Sequence, residues 1–327
     1  MKTKNSKKPA NARSKIAAPA APPIVQKILV TTDFSDQALP AVRYALALGR
    51  KIGASVILLH VVELASSISG MEAVVLARTD AEVAALARTK LEALAQRESK
   101  GAGKIIIGVR MGQPFHEITL AAGECAADLI VIATHGHTGL KRVVLGSTAE
   151  RVVRHAPCPV LTVPTRELPK RSGSASAFRL RKILVPIDFS NLSMDALPYA
   201  ALLAGQFGSK LALLHVVQWF PVDQLLGAEL LSQTMVPAIK QAEIDLERMA
   251  ADLTESTGVK VSAIVREGTP HQAICQAAKS QSADLIVLTT HGYTGLKHVW
   301  LGSTAERVVR HASCPVLAVR ELIRKPL

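Results

Sequence analysis

Short apolar runs alternate with longer segments of helical periodicity through most of the 327-residue chain. In the first half, the apolar runs predict five strands, at residues 27–32, 54–62, 104–109, 128–133 and 159–163. The spacing of apolar residues between them predicts helices at 36–52, 73–99, 114–126 and 147–155. Runs that are apolar throughout are typical of strands buried on both faces. We therefore expect a parallel sheet covered by helices.

The same order of elements returns in the second half, with strands predicted at 182–187, 210–217, 259–265, 284–289 and 315–319. The fold class that follows is α/β, with two repeated doubly wound open sheets of five parallel strands each, of the Rossmann-like type. We place a disordered basic tail at 1–23, a first domain at 24–165, a linker at 166–179, a second domain at 180–320 and a C-terminal tail at 321–327.

The repeat is most similar over a stretch of 30 residues. Residues 134–163 read THGHTGLKRVVLGSTAERVVRHAPCPVLTV, and residues 290–319 differ from them at five positions. Each copy follows a predicted strand, begins with a glycine-bearing loop and enters a helix at Ser147 or Ser303. A strand, a glycine loop and a helix N-terminus in this order can bind phosphate in an open α/β sheet.

The net charge of +13 comes from the ends of the chain and the linker. Segments 1–30, 164–182 and 320–327 together carry +14, so the other residues sum to −1. We therefore expect the basic residues to lie in solvated tails and the linker rather than on a structured face, and we expect no specific nucleic-acid site. Weak contact with a polyanion is the alternative.

Cysteine usage and hydropathy favour a soluble, cytoplasmic protein. The four cysteines contain no CxxC pair, which is typical of buried thiols in a reducing compartment. No apolar run approaches the roughly 20 residues of a membrane span. The basic N-terminal tail has no apolar core of signal-peptide length.

Polar residues collect where predicted strands end. Residues 31–33 (Thr-Thr-Asp) close the first strand, and residues 134–136 (Thr-His-Gly) close the fourth. If these strands are neighbours, one crevice receives both groups, at the position where such sheets bind ligands. The amides of Ser147 and Thr148 could then hold phosphate, while Gly136 lets the backbone approach. Asp33 would face a base, a sugar hydroxyl or a metal.

Each of these features has a structural alternative. Ser147 with Glu150, and Ser303 with Glu306, have the spacing of a capping box, which requires no ligand. The glycines could merely permit turns. Neither the dinucleotide glycine fingerprint nor the Walker pattern is present.

Histidines add little to the predicted chemistry. His135 and His137 suggest a metal pair, but Tyr293 replaces the second histidine in the other half, so we predict no metal site. His60 and His215 lie in apolar runs and are interpreted as core residues. No general base is placed beside a nucleophile, so we expect slow hydrolysis at most.

The chain resembles the tandem form of the universal stress protein family over most of residues 24–320. The resemblance is carried by the two Asp-Phe-Ser strand ends at Asp33 and Asp188, the two Leu-His-Val strands and the repeated stretch. ATP-binding members of that family carry Gly-x2-Gly-x9-Gly-Ser/Thr. The last two glycines and the hydroxyl match in both halves, whereas Ala133 and Thr289 occupy the position of the first glycine.

The resemblance implies a sheet of the adenine-nucleotide-binding type, with ATP as the ligand and Mg²⁺ as its companion ion. It places adenine near Asp33 and Val61, or near Asp188 and Val216, and the triphosphate over the glycine loop. It also implies that the last strands of the two halves pair as an intrachain pseudo-dimer, and it leaves a further homodimer open. The candidate binding residues are Thr31, Thr32, Asp33, Val61, Ala133, His135, Gly136, Gly146, Ser147 and Thr148, and in the second half Pro186, Ile187, Asp188, Val216, Thr289, His291, Gly292, Gly302, Ser303 and Thr304.

Three functions follow as hypotheses. The first is a stress-response sensor or regulatory module that binds ATP and changes a surface for a protein partner. The second is a nucleotide-independent interaction protein on the same fold, which Ala133, Thr289 and the capping boxes favour. The third is an ATP-consuming enzyme that would depend on Asp33.

Overall fold

The protein was studied as a computed structural model that describes residues 25–63, 80–99, 103–136, 145–165, 178–218, 228–290 and 302–320. The first half contains β1 (Lys27–Thr31), α1 (Leu39–Ile52), β2 (Ser55–Val62), α2 (Asp80–Ser99), β3 (Ile105–Met111), α3 (Pro114–Glu124), β4 (Leu129–Ala133), α4 (Ser147–His155) and β5 (Val160–Val163). The second half contains β6 (Lys182–Pro186), α5 (Asn191–Met194), α6 (Ala196–Phe207), β7 (Lys210–Val217), α7 (Ala228–Thr257), β8 (Val261–Glu267), α8 (Pro270–Ser280), β9 (Leu285–Thr289), α9 (Ser303–His311) and β10 (Val316–Val319).

The ten strands form a single sheet with the order β3-β2-β1-β4-β5-β10-β9-β6-β7-β8. Neighbours within each half are parallel, as predicted, whereas β5 and β10 pair antiparallel with Leu161 opposite Leu317. The expected pairing of the two last strands is therefore confirmed, and the two predicted sheets are continuous with each other. This pairing covers two sheet edges that would otherwise expose unpaired backbone groups.

Helices cover both faces of the sheet, because its strands are apolar on both sides. Helices α1, α2, α6 and α7 pack on one face, and α3, α4, α8 and α9 pack on the other. All five residues of β4 are buried, as expected for a strand near the middle of such a sheet. Within the described ranges, every helix is too short or too polar to span a bilayer.

An aspartate at the start of β4 and of β9 fixes the neighbouring strand. Oδ2 of Asp128 accepts hydrogen bonds from the amides of Gln26 and Lys27, at 2.8 and 2.9 Å. Asp284 does the same for Arg181 and Lys182, at 2.7 and 3.1 Å. The two aspartates thereby hold β1 against β4 and β6 against β9, which brings the opposite ends of those strands together at the candidate site.

The predicted end of the first helix is confirmed, whereas its predicted start is wrong. The helix begins at Leu39 rather than at Asp36, because the amide of Ala38 donates to the Ser35 carbonyl and residues 35–38 form a turn. Gly53 ends it in the left-handed conformation with φ of 75°, as the sequence predicts. Of the predicted long helix, the part before Asp80 lies outside the described residues.

One expectation about charge is wrong. Arg179, Arg181 and Lys182 were assigned to a basic linker and its edge, but they line a structured surface pocket together with Lys51 and Lys210. The reason is that β6 begins at Lys182 and the segment just before it is held against the sheet by Asp284. Part of the basic charge therefore lies on a structured surface.

Candidate nucleotide-binding site

The predicted polar groups meet because β1 and β4 are adjacent. Their register pairs Val30 with Val131, so both strands end at the same edge of the sheet. Leu184 of β6 pairs with Ile286 of β9 in the same way. From the sequence, the polar groups meet only if these strands are neighbours, and the strands are neighbours in both halves.

Gly136 lies directly against Asp33. A Cβ atom added at Gly136 would lie 2.7 Å from Oδ2 of Asp33, closer than real Cβ atoms approach other atoms. Only glycine lets the loop after β4 pass this close to the carboxylate that ends β1. This contact brings together the two groups of residues that the sequence places at the ends of β1 and β4.

Asp33 and Asp188 are each held by a serine two residues later. Oδ1 of Asp33 accepts from the amide and the hydroxyl of Ser35, at 3.0 and 2.5 Å. Asp188 accepts from Ser190 at 2.9 and 2.5 Å. Burial acts to raise the pKa of Asp188, but hydrogen bonds from Ser190, Ser193 and the main chain together outweigh it and hold the pKa below its ordinary value. This carboxyl group is therefore an anion at neutral pH.

The residue after each aspartate is strained. Phe34 and Phe189 have φ of 63° and 61°, in the left-handed region that bulky side chains rarely adopt. Such strain costs roughly 1–3 kcal/mol and concentrates at functional sites. Its occurrence at equivalent positions in both halves indicates that the turn after the aspartate is maintained for its shape.

A histidine positions each of these turns, a role that the sequence interpretation missed. Nδ1 of His60 lies 2.8 Å from the Thr32 carbonyl oxygen, and its ring packs on Phe34 with centroids 4.4 Å apart. His215 contacts the Ile187 carbonyl at 2.8 Å and packs on Phe189 at 4.5 Å. Both histidines are partly buried, and each holds the residue just before an aspartate. The repeated Leu-His-Val strand was the available signal.

The helix after the loop begins at a glycine that has no capping side chain. Gly146 is the N-cap of α4 and has φ of −59°, which any residue can adopt. Its amide donates to the Thr134 carbonyl at 2.8 Å, and an added Cβ would lie 3.3 Å from that same oxygen. Glycine is therefore needed here for close approach rather than for its backbone angles. Gly302 repeats the contact with Thr290 at 2.7 Å.

The predicted capping boxes are not formed. No side chain caps α4 or α9, since Gly146 and Gly302 occupy the N-cap positions. The glutamates that would complete the boxes are bound elsewhere: Glu150 accepts from Arg154 at 2.8 Å, and Glu306 accepts from Arg310 at 2.6 Å. The first amides of both helices are thus left without side-chain caps among the described residues, at the positive end of the helix dipole.

The other residues predicted for the first site surround this crevice. Thr32 is buried and its Oγ1 accepts from the Phe34 amide at 3.0 Å, so it supports the turn. Ala133 is buried at the end of β4. Nδ1 of His135 lies 2.9 Å from Oγ1 of Thr134, and burial lowers the pKa of this histidine. Thr31 ends β1 and is half-buried.

The second half can be described only in part. Ile187 is buried, Pro186 is half-buried at the end of β6, and Ser303 and Thr304 open α9 as Ser147 and Thr148 open α4. Thr289 ends β9 and is half-buried where Ala133 is buried. The predicted residues His291 and Gly292 lie outside the described residues, as does His137.

The two halves differ in charge beside the position expected for adenine. Val61 pairs with Arg110 in the sheet, and Val216 pairs with Arg266. Arg110 is engaged by Glu117 and Glu124 of α3. Alanine and serine stand at the equivalent positions of α8, and Arg266 donates to the carbonyl of Val265. Among the described residues, Arg110 is therefore paired with two carboxylates and Arg266 with none.

This geometry is compatible with an adenine nucleotide. The glycines let the loop backbone lie close to Asp33 and to the start of α4. The uncapped amides there can bind phosphate oxygens, and a fixed carboxylate can accept from hydroxyl or amino groups. Among the described residues, no cluster of three or more His, Cys, Asp or Glu side chains could hold a metal ion without such a ligand.

Comparison with known proteins agrees with the duplicated fold. The sequence profile of the universal stress protein family matches residues 25–164 and again 179–320. A universal stress protein of Methanocaldococcus jannaschii is 36% identical over 144 residues, which is 43% of this chain and 82% of that protein. One from Thermus aquaticus is 33% identical over 141 residues, covering 43% of this chain and 98% of its own length.

The tandem arrangement also occurs in a solved structure. A universal stress protein from Archaeoglobus fulgidus superposes with a TM-score of 0.65 at 24% identity, covering 90% of this chain and 96% of its own. At that identity the likeness concerns the fold. Because the family profile matches both halves and together covers most of the chain, the protein belongs to the universal stress protein family, in a tandem form.

Proposed function

We propose that this tandem universal stress protein binds an adenine nucleotide, with ATP as the first candidate, and acts as a regulatory module of the stress response. The contact between Gly136 and Asp33 carries the proposal, because it holds the backbone of the loop after β4 against the carboxylate at the end of β1. The uncapped start of α4 lies beside the same loop and supplies amides for an anion.

Each residue has a distinct part in the proposed site. The amides of Ser147 and Thr148 hold phosphate oxygens, and Gly146 keeps the loop close to the helix. Asp33 accepts from the sugar or the base, and Val61 provides an apolar contact. Bound triphosphate would bring Mg²⁺ with it, since this ion is normally held by phosphates and few protein ligands.

We expect little turnover. The described acid and base of the crevice are engaged by hydroxyls that belong to the fold: Ser35 holds the carboxyl of Asp33, and His135 lies against the buried Thr134. Nucleotide binding would instead order the glycine loop and change the surface presented to a protein partner. Slow hydrolysis is compatible with this role, whereas rapid Mg²⁺-dependent turnover abolished in Asp33→Asn would indicate an enzyme.

A matched pair of glycine variants tests the proposal. In Gly136→Ala the new Cβ would collide with Asp33, whereas in Gly123→Ala, within α3, it would meet nothing within 4 Å. Calorimetric titration with ATP and Mg²⁺ should show binding to the wild type and to Gly123→Ala. For Gly136→Ala we expect affinity to fall by about tenfold or more, equivalent to roughly 1.4 kcal/mol.

Circular dichroism shows whether the glycine variants still fold. Circular dichroism of both variants should match that of the wild type. Equal ATP affinity in all three proteins would remove the proposed site, and no ATP binding to the wild type would favour the nucleotide-independent interaction protein.

A further inference from the structure

Five cationic side chains line one open surface pocket of about 760 Å³ where β6 and β7 begin. One comes from helix α1, one from the start of β7, and three from the start of β6 and the residues just before it. They are Lys51, Lys210, Arg179, Arg181 and Lys182. A volume of this size is within the range of small-molecule sites.

The positive charge of the pocket is not compensated by neighbouring acids. Among the described residues, no acidic side chain forms an ion pair with any of these five cations. Asp284 is the one carboxylate in the lining, and it accepts from the main-chain amides of Arg181 and Lys182. Lys182 Nζ also donates to Oε1 of Gln281 at 2.7 Å. Five cations and one anion leave the lining with a net charge of +4.

The first half shows that the fold does not require this charge. Lys182 pairs with Lys210 at the start of β6 and β7, whereas the equivalent pair in β1 and β2 is Lys27 with Ser55. The positions equivalent to Arg179, Arg181 and Lys51 hold Ile24, Gln26 and Gln206. The equivalent set of positions thus holds one cation, Lys27, where the pocket holds five, four from the second half and Lys51 from the first. Both halves nevertheless build the same strands and the same aspartate contact.

Aromatic side chains form the apolar wall of the pocket. Phe178 and Phe207 are both half-buried, with ring centroids 5.5 Å apart. Phe178 also packs edge-on against Tyr44 of α1 at 4.8 Å. Tyr44 is itself buried, so the wall is anchored in the core between the two halves. The cations therefore surround a fixed surface.

We propose that this pocket binds a compact ligand carrying two or more phosphate groups. Guanidinium and ammonium groups around one cavity provide charge-assisted hydrogen bonds to phosphate oxygens. The cations are gathered in one pocket rather than spread along a face, which favours a compact anion over a nucleic-acid strand. The pocket lies at the start of β6, and the crevice proposed for nucleotide lies at the opposite end of the same strand.

Two double variants of equal net charge test the pocket. Lys51→Gln/Lys210→Gln removes two exposed lysines of the lining, and Lys104→Gln/Lys240→Gln removes two exposed lysines elsewhere. The probe is inorganic tripolyphosphate, titrated by calorimetry into the full chain that already carries Gly146→Val and Gly302→Val, so that both crevices proposed for nucleotide are disabled. We expect about tenfold or greater loss of tripolyphosphate affinity in the pocket variant and less than about twofold loss in the control.

Each other outcome overturns the proposal. Equal losses in the two double variants would mean that net charge, not the pocket, attracts the anion. Equal affinity in all proteins would place tripolyphosphate elsewhere, and no binding to the parent would leave the pocket without this ligand. A short single-stranded oligonucleotide that bound more tightly than tripolyphosphate, and was lost in the pocket variant, would reassign the pocket to nucleic acid. None of these results depends on ATP binding in the crevice.

Discussion

The ring of His60 holds the backbone of Thr32, with Nδ1 of the imidazole 2.8 Å from the carbonyl oxygen. This contact fixes the strand end just before Asp33, and the ring also supports the strained Phe34. His60→Leu would keep an apolar side chain against Phe34 but leave the carbonyl without its donor. We expect the free energy of unfolding to fall by roughly 1–3 kcal/mol, and ATP affinity to fall with it.

His116→Leu is the control for this prediction. His116 is exposed on α3, where its ring lies 3.3 Å from Glu117. Because it is exposed, its replacement should change neither the free energy of unfolding nor the ATP affinity appreciably. Urea unfolding and calorimetry measure the two effects. Unchanged stability and unchanged ATP affinity in His60→Leu would show that the histidine merely fills the core.

Asp188 predicts a dependence of stability on pH. Its folded pKa lies below the ordinary value of 3.8, so the folded state holds the anion more firmly than the unfolded chain does. That contribution is complete above the unfolded pKa and is lost as the pH falls through the folded pKa. Asp188→Asn should therefore lower the Tm at pH 7, and the difference from the wild type should shrink below about pH 4.

Thermal unfolding followed by circular dichroism between pH 3 and pH 7 would measure this difference. Asp252→Asn, on the exposed side of α7, is a suitable comparison at each pH. A Tm difference for Asp188→Asn that stayed constant over the whole range would contradict the role of its charge.

The sequence predicted most of the strand positions because parallel strands buried on both faces are apolar throughout. The Ser147–His155 helix was predicted to the residue, since Gly146 and Pro157 bracket it. The first helix was predicted to start too early, because the turn at residues 35–38 depends on hydrogen bonds rather than on periodicity. The pattern of apolar residues therefore predicts elements whose position depends on burial. It predicts less well the turns whose position depends on hydrogen bonds between polar groups.

The candidate site was predictable in its composition but not in its contacts. Strand ends and glycines indicated the crevice. The alternative of capping boxes was wrong because Gly146 and Gly302, not the serines after them, are the N-cap residues, and Glu150 and Glu306 bind arginines one turn later. The positioning role of His60 was missed because its partner is a main-chain carbonyl on another strand. The basic pocket was missed because Lys51 and Lys210 are far in the sequence from the basic residues at 179–182 and join them only in the folded chain.

We expect the two halves to bind ATP with unequal affinity, because they differ in the residue that ends β4 and β9. Thr289 stands where the first half has the smaller Ala133, so we expect the first crevice to bind ATP more tightly. Thr289→Ala should strengthen binding in the second half by a few-fold, since a smaller residue leaves more room beside the loop. Calorimetry in a Gly146→Val background isolates the second half.

Thr89→Ala, at an exposed position of α2, is the matched control and should leave ATP affinity unchanged. Weaker binding in Thr289→Ala than in its parent would mean that the threonine contributes a contact to the nucleotide, and the order of the two sites would then be reversed.

We expect a substitution in the core where β5 pairs with β10 to lower the stability of the protein substantially. Leu317 is 5% exposed and lies opposite Leu161 where β10 pairs with β5. Leu317→Ala should lower the free energy of unfolding by roughly 2–5 kcal/mol, because it leaves a cavity in the shared core. Leu120→Ala, at a side chain that is 43% exposed, should change it by less than about 1 kcal/mol.

Urea unfolding monitored by circular dichroism would compare these two leucine variants with the wild type. A loss in Leu317→Ala no greater than that in Leu120→Ala would show that the β5–β10 junction contributes little to the stability of the folded chain.

A crystal structure of the protein soaked with ATP and Mg²⁺ tests the central claim most directly. The account predicts phosphate density within hydrogen-bonding distance of the amides of Ser147 and Thr148, with adenine or ribose beside Asp33. Density for the nucleotide at another surface, with both helix starts covered by the protein's own side chains, would contradict it.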